Sequence, residues 1–241
     1  MDEGRPPRRA ASGAPVPPGF RSRLLEGLTP SQIRAVLAGA RRQRVSRNEV
    51  LQHEGEPASH LSLLVTGLAA FYTATFEGDK LFLRWITPGD AFGLAALQNQ
   101  PQPYLATVQT LQESSVLLWE RMSAHALFSQ VPRLRENLYA VASDYMARLA
   151  HVLVSRTSQT AEQRLARMLV ESAHQIGRAG REGIALDLTN ELLAEAADVS
   201  VFTASRQLSE WHRQGILAKS RGKILLRAPK RLVSLLAGHR P

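Results

Sequence analysis

Residues 188–211, LTNELLAEAADVSVFTASRQLSEW, constrain this chain more than any other stretch. They read as two short helices joined by a tight turn. Thr189 is a hydroxyl N-cap, and Leu192, Leu193, Ala196 and Ala197 give the first helix an apolar face. Asp198 and Val199 make the turn, where Asp accepts a left-handed conformation more easily than most residues. Ser200 caps the second helix, in which Ala204, Leu208 and Trp211 repeat at steps of four and three and form one buried stripe. The other face carries Val201, Phe202, Thr203, Ser205, Arg206 and Ser209. An ordinary helical hairpin explains the stripe. It does not explain a phenylalanine and an arginine together on a solvated face, which suit a DNA major groove. There Arg holds guanine bidentately and an apolar ring touches a thymine methyl.

The chain continues as GILAKSRGKILLRAPKRL. Ile216 and Leu217, then Ile224 to Leu226, are β-prone, and Ser220-Arg221-Gly222-Lys223 supplies a turn between them. This predicts a wing beside a helix-turn-helix. Between Arg206 and Arg231 stand eight basic residues and one acid, Glu210, so the segment holds seven of the chain's net nine positive charges. A surface of one sign favours phosphate contact. Thr189, Ser200, Val201, Phe202, Thr203, Ser205, Arg206, Ser209, Arg221 and Lys223 are the expected contacts to double-stranded DNA.

The remaining chain bounds the alternatives. None of its 241 residues is cysteine, which excludes disulfides, thiolate zinc sites and cysteine-held iron–sulfur clusters. No apolar run approaches the roughly 20 residues needed to span a bilayer. No secretory signal is present, so a cytoplasmic protein without a membrane role is expected. Residues 1–19 are rich in proline and arginine and read as a flexible tail. Thr29-Pro30-Ser31 starts a short helix.

From Arg41 to Trp119 the texture becomes β-prone, with Gly55, Gly67, Gly78 and Gly89 spaced 12, 11 and 11 residues apart. That spacing, with alternating stretches such as HLSLLVTG, predicts an antiparallel barrel or jelly roll, with Glu77-Gly78-Asp79 as a hairpin tip. Pro132 then opens a long helix to about Ser155, followed by a break at Arg156-Thr157-Ser158. Its Leu134, Leu138, Val141, Tyr145, Arg148 and Val152 repeat at heptad steps and form an expected homodimer seam. Packing against the barrel of the same subunit is the competing account. Thr160-Ala-Glu-Gln163 is a capping box, and a loop rich in Gly and Arg leads on to the helix-turn-helix.

EVLQHEGEPASHLSLLVTG, ITPGDAFGLAAL, TAEQRLARMLVESA and the helix-turn-helix, in this order, resemble the CRP/FNR family of bacterial transcription regulators over roughly residues 20–235. The resemblance implies an α+β chain. A jelly-roll, cyclic-nucleotide-binding-like sensor barrel would span 20–130, a dimerisation helix 131–157 and a winged helix-turn-helix 158–241. It implies a dimeric, sequence-specific DNA-binding regulator that meets RNA polymerase and answers to a small-molecule effector. The effector pocket would comprise Phe92, Gly93, Leu94, Ala95, Ala96, Leu97, Tyr104 and Leu105.

Departures from the family pattern narrow the effector. Cyclic-AMP-binding members have Gly-Glu in the cassette and Arg-Ser or Arg-Thr downstream. Here Leu94 follows Gly93, and Tyr104 and Leu105 stand where the arginine pair would fall. A buried phosphate without its arginine is poorly compensated, so cyclic AMP is not expected. The cysteines of the oxygen-sensing branch are missing. In the recognition helix Phe202 replaces the Glu that many members place four residues before Arg206. No cofactor is evident. Some members bind haem through histidine, but His53, His60, His125, His151, His174, His212 and His239 show no metal-ligand spacing, with His53 and His60 in the barrel the nearest to one. A cupin-like metal enzyme would need a close His pair with a carboxylate and a third His. The chain is not expected to be an enzyme.

Overall fold

The computed structural model describes residues 16–236 except Phe76, Asp79, Pro101 and Arg221. Most of the expected N-terminal tail, Asp79 of the hairpin tip and the wing's Arg221 therefore lie outside the described residues. The fold is α+β, with antiparallel sheets toward the N-terminus, a long helix and a C-terminal helix-turn-helix domain. Two compact units make up the chain. One holds residues up to Ala69 together with Ile86–Asp144; the other holds Ala70–Trp85 and Tyr145–Pro241.

In the first unit, β1 (Arg41–Val45), β8 (Ser114–Glu120), β3 (His60–Thr66) and β6 (Ala91–Phe92) form an antiparallel sheet in that spatial order. β2 (Val50–Gln52) pairs separately with β7 (Thr107–Thr110). Alternation along β3 is weaker than the sequence pattern suggests. Leu61, Leu63, Leu64 and Val65 are all buried, so both faces of the strand are covered. The core joins Leu61, Leu63, Leu117 and Trp119 to Leu24, Leu25, Val36, Phe128 and Leu134. Three of its helical contributors are α1 (Pro30–Ala38), α2 (Arg121–Gln130) and the start of α3 (Pro132–Ser158). Buried polar groups within this core are matched. Trp119 Nε1 donates to the Val36 carbonyl at 2.9 Å, and Asn137 Nδ2 donates to the carbonyls of Leu24 and Glu26 at 2.9 and 2.8 Å. The last residues of the expected tail are held as well, because Val16 packs against this core.

The evenly spaced glycines are turn residues. Gly55, Gly67, Gly78 and Gly89 have φ of 82°, 101°, 87° and 97°, a region that side chains rarely adopt. At Gly89 space is restricted too, since a Cβ would collide with the Arg21 carbonyl oxygen. That approach lets Ser22 Oγ donate to the Gly89 carbonyl at 2.7 Å and ties the entering chain to the sheet.

In the second unit, β4 (Ala69–Ala74) lies beside β5 (Lys80–Ile86). The compact units thus differ from the expected boundaries at 130 and 157, and these two strands belong with the C-terminal elements. Phe71 meets the Tyr145 ring with centroids 5.7 Å apart, and buried Trp85 Nε1 donates to Ser172 Oγ at 3.1 Å. α3 runs through the expected break to Ser158, leaving Gln159 and Thr160 before α4 (Ala161–Ile176). Thr160 and Gln163 form the expected capping box. The glycine- and arginine-rich stretch after α4 is a hairpin rather than a loop. Its strands β9 (Arg178–Gly180) and β10 (Gly183–Leu186) extend the wing into a sheet ordered β11 (Leu217–Ser220), β12 (Lys223–Leu226), β10, β9. α7 (Pro229–Leu236) packs on α4 and buries Leu232.

Gly89→Ala combines a left-handed φ with a backbone collision. It should cost about 2–3 kcal/mol and lower the melting temperature by roughly 5–10 °C. Thermal denaturation followed by circular dichroism checks this, and a shift below about 1 °C would show that the Arg21–Gly89 approach is not a stabilising constraint.

Candidate nucleic-acid interface

α5 (Asn190–Ala197) and α6 (Val201–Arg213) build the site. Thr189 caps α5, its Oγ1 accepting from Leu192 N at 3.2 Å. Glu191 beside it has its carboxyl held below the usual range by its own backbone amide and by the Thr189 hydroxyl. Asp198 has φ 54° and ψ 52°, the left-handed turn the sequence predicts. Ser200 caps α6, its Oγ accepting from Thr203 N at 3.0 Å.

Burial then orients α6. Ala204, Leu208 and Trp211 are buried, which turns Val201, Phe202 and Arg206 outward. Phe202 is 76% exposed, far more than a core phenylalanine tolerates. Among the described residues the Arg206 side chain makes no hydrogen bond or ion pair, so its guanidinium is available. Phe202, Arg206 and Ser209 follow at steps of four and three, one stripe on the outer face.

The polar candidates divide. Ser200 Oγ donates to Thr203 Oγ1 at 2.9 Å, and Ser209 Oγ donates to the Ser205 carbonyl at 2.8 Å while accepting from Lys219 Nζ at 2.7 Å. These hydroxyls serve the helix and its junction with the wing, and Thr189 serves the cap. Lys223 is exposed on β12 opposite Ser220, where the hairpin turns through Gly222 at φ 71°.

Three supports were not legible as such in the sequence. Arg164 of α4 donates to the carbonyls of Ala197 at 3.1 Å, Asp198 at 2.9 Å and Gln159 at 3.0 Å, holding the end of α5 and the turn. Gln207 Nε2 donates to Glu162 Oε1 at 3.0 Å, and Arg231 Nη1 to the Gln214 carbonyl at 3.1 Å. A basic count alone gives no way to separate such structural arginines from those that face phosphate.

Most residues of the expected effector pocket are packed within the first unit. Phe92, Ala95, Ala96 and Tyr104 are buried, Leu94 and Leu97 pack partly against the core, and Leu105 is 78% exposed. The Tyr104 hydroxyl accepts from Ser59 N at 3.1 Å and His60 N at 3.0 Å, and lies 3.2 Å from the His60 carbonyl. Its ring edge lies against Gly93, where an added Cβ would come within 3.4 Å of it. His60 Nδ1 lies 2.8 Å from Ser59 Oγ; burial, then Arg41, lowers its pKa against the opposing pull of Glu120. Among the described residues no three His, Asp or Glu side chains gather closely enough to hold a metal ion, and no helix is long and apolar enough to cross a membrane.

The residues of the expected dimer seam are largely packed within the chain itself. Leu134 and Val141 are buried and Leu138 is partly buried in the chain's own packing, Tyr145 meets Phe71, and Val152 is partly buried. Arg148 is exposed on the same side of the helix. Heptad spacing identifies an apolar side of a helix but not which partner covers it. A second stripe is exposed instead: Tyr139 at 72%, Met146 at 67%, Leu149 at 40% and Leu153 at 65%, about 100° round the helix from the first.

Two family models match this chain, a cyclic nucleotide-binding domain over residues 42–131 and a Crp-like helix-turn-helix domain over 163–235. The chain is 24% identical over 216 residues to a CRP-like cAMP-activated global transcriptional regulator of Mycobacterium tuberculosis, covering 88% of this chain and 95% of that one. It is 28% identical over 187 residues to the transcriptional regulator LdrP of Thermus thermophilus, covering 76% and 91%. The solved structure of FixK2 from Bradyrhizobium japonicum matches with a TM-score of 0.72 and 25% identity, over 81% of this chain and 96% of that one. With a cyclic-nucleotide-binding-like N-terminal domain, a long helix and an outward-facing recognition helix beside a basic wing, the chain belongs to the CRP/FNR family of DNA-binding transcription regulators.

Proposed function

We propose that this chain works as a homodimer that reads a two-fold DNA site with α6, holds the backbone with its wing, and acts on transcription through RNA polymerase. The carrying observation is the outer face of α6, where Phe202 is 76% exposed and Arg206 follows one turn later on a helix anchored by buried Trp211. Arg206 reads guanine O6 and N7, and Phe202 meets a thymine methyl. Lys223 meets phosphate. The dimer contact is the exposed stripe Tyr139, Met146, Leu149 and Leu153, whose apolar side chains lack cover among the described residues. Two recognition helices so paired address half-sites about 34 Å apart. Cyclic AMP is not the effector, because Tyr104 is bonded to the backbone where the family's phosphate-binding arginine would stand.

Arg206→Ala should cost about 1–3 kcal/mol on the preferred site and relax preference at one base pair per half-site. Lys223→Ala should weaken all sequences alike and flatten the salt slope by about one unit per lost contact. Titration of both variants against a half-site panel at several salt concentrations checks this. A uniform loss for Arg206→Ala across the panel would remove α6 from base reading.

Met146→Glu with Leu153→Glu places two carboxylates in the stripe of each subunit. The variant should sediment as a monomer with unchanged circular dichroism, while Ala147→Glu, exposed on the same helix but about 100° round from Met146, stays dimeric. A dimeric double variant would rule the stripe out as the interface.

Millimolar cyclic AMP should leave the melting temperature unchanged, since a ligand that binds the native state raises it by mass action. A saturable upward shift would contradict the reading of Tyr104.

A further inference from the structure

Within the second unit, α3, α4, β5 and the end of α5 enclose a cleft of about 180 Å³ that the DNA-reading function does not use. Its charge is lopsided. Among the described residues that line it are four arginines, Arg84, Arg148, Arg164 and Arg167, against two carboxylates, Glu171 and Asp198. The arginines are committed to different degrees. Arg164 is occupied by three backbone carbonyls. The Arg84 guanidinium lies 4.5 Å over the Tyr145 ring and is largely buried. Arg167 Nε donates to Gln159 Oε1 at 2.9 Å, but its Nη1 is 3.9 Å from Glu171, a loose ion pair rather than a hydrogen bond. Arg148 makes no hydrogen bond among the described residues. Arg148 and Arg167 therefore keep donors available toward the cleft.

Phe82, Trp85, Val152 and Met168 add apolar walls, and His151 and Gln175 complete the polar side. A hydrated inorganic ion would use the arginines and waste those walls. A molecule with an anionic head and a compact apolar or aromatic body would use both. Planar guanidiniums meet phosphate oxygens bidentately, and two of them balance a dianion. The resident carboxylate agrees with this. Burial raises the Glu171 pKa, while Arg167, Arg148 and His151 pull it down, so Glu171 is the acid these cations now face. An incoming dianion competes with it for the same donors.

We propose that this cleft is a binding site for a small organic phosphate, with Arg148 and Arg167 holding the phosphate and the Phe82–Trp85–Met168 walls holding the body. The site shares no residue with the expected pocket around Gly93 and Tyr104. Its lining includes Ala196, Ala197 and Asp198 at the helix-turn-helix turn, so occupancy bears on the residues that set the α5–α6 geometry.

Trp85 supplies a local signal, and binding is measured without DNA, so failure here leaves the DNA-reading proposal standing. Phenyl phosphate, inorganic phosphate and phenol are titrated into the full-length protein at low salt, with tryptophan fluorescence and calorimetry as readouts. Phenyl phosphate should bind saturably and more tightly than either fragment. Arg148→Gln and Arg167→Gln should each weaken it by about tenfold, the value of one charge-assisted contact. Glu171→Gln, which removes the competing carboxylate and keeps the shape, should tighten it several-fold. Variants are accepted when circular dichroism and melting match the parent, and the gain expected for Glu171→Gln cannot come from misfolding. The proposal is overturned if phenyl phosphate fails to bind the parent protein, if it binds no better than inorganic phosphate, or if the two arginine variants bind it as the parent does.

Discussion

The position of α6 depends on the burial of Ala204, Leu208 and Trp211. A 13-residue helix has little stability alone, so its place is set by what it buries. Once that stripe is packed, the helical period leaves no choice about which residues face outward. Phe202 and Arg206 are exposed because the helical period puts them across the helix from that stripe. The outer face proposed to read DNA is thus a consequence of core packing, and it includes a phenylalanine that the fold itself leaves uncovered.

Packing alone leaves the end of α5 with open carbonyls at the turn. Arg164 closes it from a different helix, donating to Ala197 and Asp198 while Asp198 takes a left-handed conformation. One long cation therefore joins α4, the α3–α4 junction at Gln159 and the turn. Lys219 does similar work between the wing and α6 through Ser209. Several of the basic residues around α6 and the wing are thus spent on structure, whereas Arg206 and Lys223 are exposed.

In the N-terminal domain, Tyr104 packs with Ala95 and Ala96 beside Gly93. Tyr104 uses its hydroxyl on the backbone of Ser59 and His60 and its ring edge against Gly93. A bound anion needs cationic donors. The arginine-lined cleft beside α4 has the charge and the apolar walls for it.

The sequence by itself determined the local features. Caps at Thr29, Thr160, Thr189 and Ser200, the left-handed turn at Asp198 and the glycine turns of the barrel all follow from the chemistry of one residue and its nearest neighbours. The buried stripe of α6 followed too, because its period and its wing left one arrangement. What tertiary structure alone decided is which partner covers each apolar face and each long cation. Leu134 and Val141 satisfy the heptad rule equally well against a second subunit or their own core, and only the fold selects the core. β9 and β10 are too short and too glycine-rich to register as strands until the wing supplies a neighbour to pair with. Arg164 and Arg206 are the same residue type in sequence; carbonyls brought together by folding occupy one and leave the other exposed on α6. Spacing along the chain records periodicity, whereas burial and pairing depend on surfaces distant in sequence, and those exist only once the chain has folded.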